Sequence, residues 1–116
     1  MHMSYIQPKT LMAQGAKKLA SDESERERYR REMAERIYTA FQEYNRGIPR
    51  SGQITQADLG RFVADKLGRA QPFTQANVSR WMSETDPGQP DNPTVKAIAE
   101  VLNVDLMWLL YGAREG

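Results

Sequence analysis

A short run of polar side chains in the middle of the chain has the chemistry needed to bond the edges of nucleic-acid bases. The run is Thr74-Gln75-Ala76-Asn77-Val78-Ser79-Arg80-Trp81. The amides of Gln75 and Asn77 can each bond an adenine through two hydrogen bonds, and the guanidinium of Arg80 can bond O6 and N7 of guanine. A small residue such as Ala76 lets a backbone approach a base or touch a thymine methyl. These residue types favour contact with double-stranded DNA through its major groove.

The same run predicts a helix that presents these side chains together. At about 100° per residue, Val78, Trp81 and Met82 fall on one side, which we expect to be buried. The residues that point the other way or lie on the flanks are small, amide or guanidinium side chains: Gln75, Ala76, Asn77, Ser79, Arg80 and Ser83. Thr74 is a suitable cap for the start of this helix. We expect an anchored helix with a polar outer face.

Two helices are predicted before this one. The first should begin at Ser24, which has the Ser-x-x-Glu spacing of a capping box with Glu27, and should end at Gly47. Its apolar positions recur at spacings of three and four: Tyr29, Met33, Ile37, Phe41 and Tyr44. The second should begin at Thr55 and end at Gly68, followed by a turn in which Pro72 forbids continuous helix.

Two more helices are predicted after it, and no segment has the alternation of a strand. Asn92 is expected to cap the fourth helix, with Pro93 at its first position and Asn103 as its end. Asp105 should cap a fifth helix that Gly112 closes. The predicted fold class is therefore all-α with five helices. We expect an N-terminal arm over residues 1–20, with room for one or two helical turns, and one domain over residues 21–116.

Composition argues against an enzyme. The 116 residues contain no cysteine, and the one histidine, His2, lies in Met1-His2-Met3, which resembles a cloning remnant. Without an imidazole, a thiolate, a glycine-rich phosphate loop or an evident pair of catalytic carboxylates, we expect no catalysis, no metal and no cofactor. No apolar run approaches the roughly 20 residues that span a bilayer. We expect a soluble cytoplasmic protein with no membrane partner and no small-molecule ligand.

The net charge of +1 hides an uneven distribution. Residues 48–82 carry a local charge of +3, whereas residues 83–116 carry a local charge of −4. A basic segment that coincides with the polar run is consistent with attraction to phosphate.

These motifs together resemble the helix-turn-helix of the Cro/repressor-like superfamily, also called the XRE type. The resemblance covers residues 53–112 and depends on Thr55-Gln56-Ala57-Asp58-Leu59, on 74–81, and on the segment from Ile98 to Gly112 that contains Trp108-Leu109-Leu110. It implies a five-helix lambda-repressor-like domain with a helix-turn-helix core at 55–82. The link between Leu59 and Thr74 is longer than in compact phage repressors and looks more like the POU-specific version of the fold.

The resemblance also implies roles for individual residues. Gln75, Ala76, Asn77 and Arg80 would read bases, while Gln56 would bond a phosphate and brace the side chain of Gln75. The lesser phosphate candidates are Thr55, Thr74, Ser79, Arg50, Asn92 and Lys96. The implied protein is a bacterial or phage-encoded transcriptional regulator, expected to be a repressor, that binds operator DNA as a homodimer.

The sequence is compatible with one alternative for the arginine-rich part of the first helix and with one alternative function. The arginines at positions 26, 28, 30 and 31 could bind phosphate, but glutamates interleave with them, and a solvated helix face with internal ion pairs is the preferred interpretation. The alternative function is a protein-interaction module, antitoxin-like or an adaptor, that keeps the fold without specific DNA recognition. Its acidic C-terminal third would then meet a partner.

Overall fold

Over the residues that the structure describes, the protein is built from five α-helices. A computed structural model describes the backbone of residues 3–112 and the side chains of residues 24–112. The helices are α1 (Met3–Arg46), α2 (Gln56–Leu67), α3 (Gln75–Trp81), α4 (Asn92–Leu102) and α5 (Leu106–Tyr111), with a short 3-10 turn at Arg50–Gly52. Residues 3–112 contain no strand, so the predicted all-α class with five helices is confirmed.

The predicted start of the first helix at Ser24 is wrong. Helix α1 begins at Met3 and continues for 44 residues to Arg46, so it passes through the expected boundary between residues 20 and 21 without a break. Ser24 and Glu27 lie inside this helix, where the Ser-x-x-Glu spacing has no free helix start to cap. The predicted end near Gly47 is confirmed.

The other helix starts are encoded by local capping. Thr55 and Asp58 form a complete capping box at the start of α2, and Asp105 accepts a hydrogen bond from the backbone N–H of Trp108 at the start of α5. The prediction for α4 is wrong by one residue: Asp91 is the cap, and Asn92 and Pro93 occupy the first helical turn. Asp91 prevails because its carboxylate accepts the N–H of Thr94, and a negative charge there suits the helix dipole.

Three helices end on a residue in the left-handed conformation. Gly68 (φ 71°), Asn103 (φ 59°) and Gly112 (φ 78°) close α2, α4 and α5, as the sequence predicted. Asn103 is the one non-glycine residue of this kind among the described residues, and asparagine is one of the few residues that adopts the conformation readily.

All five helices contribute to one core. The largest fully buried side chains are Met33 and Ile37 from α1, Leu59 and Val63 from α2, Val78 from α3, Val95 and Ile98 from α4, and Leu109 from α5. In the described part of α1, the buried positions begin at Met33. None of the helices, over the residues described, is both long enough and apolar enough to cross a membrane.

Candidate nucleic-acid interface

Helix α3 is anchored from behind by aromatic packing. Val78 and Trp81 are buried, and the ring of Phe73 meets the Trp81 ring edge to face with centroids 4.9 Å apart. The guanidinium of Arg69 lies 3.9 Å from the centroid of the Phe73 ring, which gives a cation–π contact at the turn. A helix of seven residues has little stability of its own, so these contacts fix its position.

Gly60 sets the distance between α2 and the turn that leads into α3. A β-carbon built at this position would lie 2.5 Å from the carbonyl oxygen of Phe73 and 3.0 Å from Cγ2 of Val78. The backbone N–H of Phe73 also donates to the carbonyl oxygen of Gly60, at 3.4 Å. The missing side chain therefore allows the two backbones to touch. Nothing in the sequence next to Gly60 indicates this role, because the contact joins segments 13 positions apart.

The outer face of α3 is exposed as predicted. Gln75, Ala76, Asn77, Ser79 and Arg80 are all exposed, while Val78 and Trp81 are buried. One turn and a half of helix thus presents two amides, a hydroxyl and a guanidinium beside small residues. Ser83, which was expected on the same face, lies beyond the end of α3 and is half-buried.

Asn77 helps to stabilise the start of α3 through hydrogen bonds with Thr74. Its backbone N–H donates to Oγ1 of Thr74 at 3.1 Å, and the Thr74 hydroxyl donates to the Asn77 side-chain oxygen. The side-chain NH₂ of Asn77 remains as its free donor. Thr74 takes part in the same two hydrogen bonds. Both residues therefore serve mainly to cap the helix, and contact with a ligand would be a secondary role.

The side chain of Gln75 is unrestrained on this face. Its side chain has no hydrogen bond among the described residues, and the side chain of Gln56, which is half-buried, makes none either. No hydrogen bond joins Gln56 and Gln75 in the structure, and the expected brace between them stays a prediction. An unrestrained exposed amide can choose either of its two bonding groups for a base.

Arg80 is held by the loop between α3 and α4. Its Nε lies 3.7 Å from Oδ2 of Asp86, an ion pair between two exposed side chains. The backbone N–H of Gly88 donates to the carbonyl oxygen of Arg80 at 2.9 Å. A β-carbon at Gly88 would lie 3.0 Å from Cβ of Arg80 and 3.3 Å from its Nε. Neither Asp86 nor Gly88 was predicted as a site residue.

A polar groove of about 630 Å³ lies beside Arg80. Asn77, Arg80 and Trp81 form one wall, the segment from Pro87 to Asp91 forms another, and Arg30 of α1 completes it. Arg30 was assigned to a self-paired helix face, yet no ion pair joins Arg30 or Arg31 to a carboxylate among the described side chains. The structure thus brings a cation from α1 to the end of α3.

The predicted phosphate residues lie near the starts of α2 and α4, along α3 with its cap, and in the 3-10 turn. Thr55 is engaged in its capping box, and the backbone N–H of Thr55 is the main cause that lowers the pKa of Asp58. Arg50 is exposed in the 3-10 turn, and Lys96 is exposed on α4. Neither side chain has a hydrogen bond or ion pair among the described residues, so both cationic groups are available.

The start of α4 is a poorer phosphate site than predicted. Asp91, not Asn92, caps it, and hydrogen bonds from the side chain and backbone of Thr94 lower the pKa of the Asp91 carboxyl. The carboxylate therefore stays charged and already neutralises the positive end of the helix dipole. Asn92 is exposed on the first turn, next to this negative charge.

The described residues contain no group of three or more His, Cys, Asp or Glu side chains that could hold a metal ion. What the arrangement offers is an exposed helix face of neutral donors and one guanidinium, with further cations on neighbouring elements. Comparison of the chain with protein-family models, with curated proteins and with solved structures finds no match, so the interpretation of this face depends on its own residues and geometry.

Proposed function

We propose that the protein is a sequence-specific regulator of transcription that inserts α3 into the major groove of double-stranded DNA. The observation that carries the proposal is the division of α3 into a buried side, Val78 and Trp81, and an exposed side with Gln75, Ala76 and Arg80. The width of a major groove accommodates one α-helix, and amide and guanidinium groups distinguish its base edges. The resemblance to Cro/repressor-like regulators points to repression as the effect.

The electrostatics around α3 support contact with phosphate at some positions and oppose it at others. Arg30, Arg50 and Lys96 are exposed cations without an ion-pair partner among the described side chains. Each cation that neutralises a phosphate releases counterions, so affinity should fall as salt concentration rises. Glu84 and Asp86 repel phosphate, which confines the approach of DNA to the rest of the α3 surface.

We further propose that the protein binds as a symmetric homodimer. A helix of seven residues can contact only a few base pairs, and two linked copies raise the effective concentration of the second reading helix. Two copies of α3 would lie in successive major grooves, about 34 Å apart. The expected operator is therefore an inverted repeat.

The first test is selection of random duplex DNA on the purified protein, followed by binding measurements on the enriched site. We expect an inverted repeat, and we expect Gln75→Ala to relax the preference at one base pair of each half-site. The loss should be about 1–3 kcal/mol per base contact removed. Gln42→Ala is a matched control, because Gln42 is an exposed glutamine on α1 whose amide, among the described residues, bonds only the Tyr38 hydroxyl.

The competing function is a protein-interaction module, and the carboxylates of Glu84, Asp86 and Asp91 next to α3 favour it. It predicts that selection enriches no sequence and that any DNA binding is equal for all duplexes and lost steeply with salt. That outcome would contradict the regulator. A preference that survives in Gln75→Ala but disappears in Gln42→Ala would contradict the placement of the reading face on α3.

A further inference from the structure

The loop of residues 83–88 folds back onto the last turn of α3 at Arg80. The carbonyl oxygen of Arg80 accepts the backbone N–H groups of Ser83 at 3.2 Å and Gly88 at 2.9 Å. The hydroxyl oxygen of Ser83 accepts the backbone N–H of Asp86 at 3.0 Å, which fixes the position of that residue in the loop. Both ends of the loop are thus tied to the same residue.

The Arg80 side chain lies along this loop in a defined direction. Its Cβ, Nε and Cζ occupy the space that a β-carbon would need at Gly88, with distances of 3.0 to 3.3 Å. Its Nε faces the carboxylate of Asp86 at 3.7 Å. The two terminal amino groups of the guanidinium make no hydrogen bond with the described residues.

This arrangement has a consequence for base recognition. An arginine can bond a guanine through its two terminal amino groups, and its Nε then takes no part in the contact. An arginine without contacts must also lose rotamer freedom when it binds, which costs free energy. Contact with Asp86 and Gly88 restricts the side chain in advance and engages only Nε. The guanidinium is therefore presented with both terminal donors available.

We propose that Asp86 and Gly88 are positioning residues that fix Arg80 for recognition of a guanine. The proposal rests on the function proposed above and adds the base that Arg80 reads and the residues that determine that specificity. Asp86 acts through Arg80 and does not itself touch DNA. Its charge lowers affinity for every duplex, whereas its contact with Arg80 raises the preference for guanine.

These opposite effects allow a test on base preference, separate from affinity. Arg80→Ala should reduce the preference for guanine at one position of the selected site by roughly 5- to 150-fold. Asp86→Asn should reduce it by about two- to fivefold, the scale of an exposed ion pair, while affinity for unrelated duplexes rises. In the Arg80→Ala background, Asp86→Asn should leave the preference unchanged.

Glu84→Gln is the matched control, because it removes the same charge from an exposed residue of the same loop that has no ion pair with any described side chain. It should raise affinity for all duplexes without changing the preference. Gly88→Ala should relax the preference as Asp86→Asn does. Gly88 does not have a left-handed φ, so alanine suits its backbone, and the new β-carbon, 3.0 Å from Cβ of Arg80, should move the loop away from Arg80 by a few tenths of an ångström.

The possible failures are distinguishable. If the wild-type protein selects no sequence, both the proposed function and this inference are overturned. If it selects a site that Gln75→Ala relaxes but Arg80→Ala does not, only the inference is overturned. Equal changes in preference for Asp86→Asn and Glu84→Gln would also overturn it, because charge alone would then explain the effect. Circular dichroism of each variant confirms that helix content is unchanged.

Discussion

Replacing Gly60 by alanine should push α2 and the turn before α3 apart. The new methyl carbon would lie 2.5 Å from the carbonyl oxygen of Phe73, whereas carbon and oxygen atoms in close contact are normally about 3.3–3.6 Å apart. The obstructing atom belongs to the backbone, so no side-chain rotation can relieve the overlap. The turn would have to move by about 0.8 Å or more, as the same contact distances require.

The free energy of unfolding should fall by about 1–2 kcal/mol. Overpacking costs roughly 1–3 kcal/mol, and the weak hydrogen bond from Phe73 N–H to the Gly60 carbonyl would lengthen further. Alanine offsets about 1 kcal/mol of this cost, because it favours the helical conformation more than glycine does. At about 4–8 °C per kcal/mol for a small domain, the melting temperature should decrease by roughly 4–16 °C.

Thermal melting followed by circular dichroism measures the effect, with Gly47→Ala as the control. A β-carbon at Gly47 meets nothing within 4 Å, and its φ is not left-handed, so this variant should melt within a degree or two of wild type, about the scale of a neutral surface change. A Gly60→Ala variant that melts at or above the wild-type temperature would refute the argument. Because the displaced turn carries α3, we also expect this variant to bind the selected site more weakly than wild type.

Two further predictions concern helix ends. Since the pKa of Asp91 is lowered from 3.8, its carboxylate stabilises the fold above that value, and the contribution is lost as pH falls through the folded pKa. As the pH falls from about 6 to 3, the melting temperature of Asp91→Asn should therefore decrease less than that of the wild type. An equal decrease would contradict this assignment. Arg36 donates from Nε to the carbonyl oxygen of Leu109 at 2.9 Å and from Nη2 to that of Leu110 at 3.0 Å. Arg36→Met should speed hydrogen exchange of the α5 amides, whereas Arg31→Met, at an exposed position of α1, should not.

The helix ends were predictable because each depends on residues close in sequence. A capping oxygen bonds a backbone N–H three residues ahead, and a left-handed end needs only glycine or asparagine at one position. Thr55, Asp105, Gly68 and Gly112 could therefore be identified from the chain alone. The exposed face of α3 followed from the same local periodicity.

The errors have equally local causes. The Ser-x-x-Glu spacing at Ser24 occurs inside a helix as readily as at its start, and only the continuous backbone of α1 distinguishes the two. At α4 two adjacent residues, Asp91 and Asn92, were both suitable caps. The contacts of Gly60 with Phe73 and of Asp86 with Arg80 join separate elements, so they could not be found without the three-dimensional arrangement.

The way α3 is anchored has a consequence for how such a protein can diverge. Thr74 and Asn77 define the start of the helix, and Val78 and Trp81 hold it to the core. Structural duties thus fall on few positions, and exposed positions such as Gln75 have none. Substitution at those positions alters the exposed surface and leaves the packing of the scaffold intact, so the surface chemistry of α3 and the stability of the fold can change independently of each other.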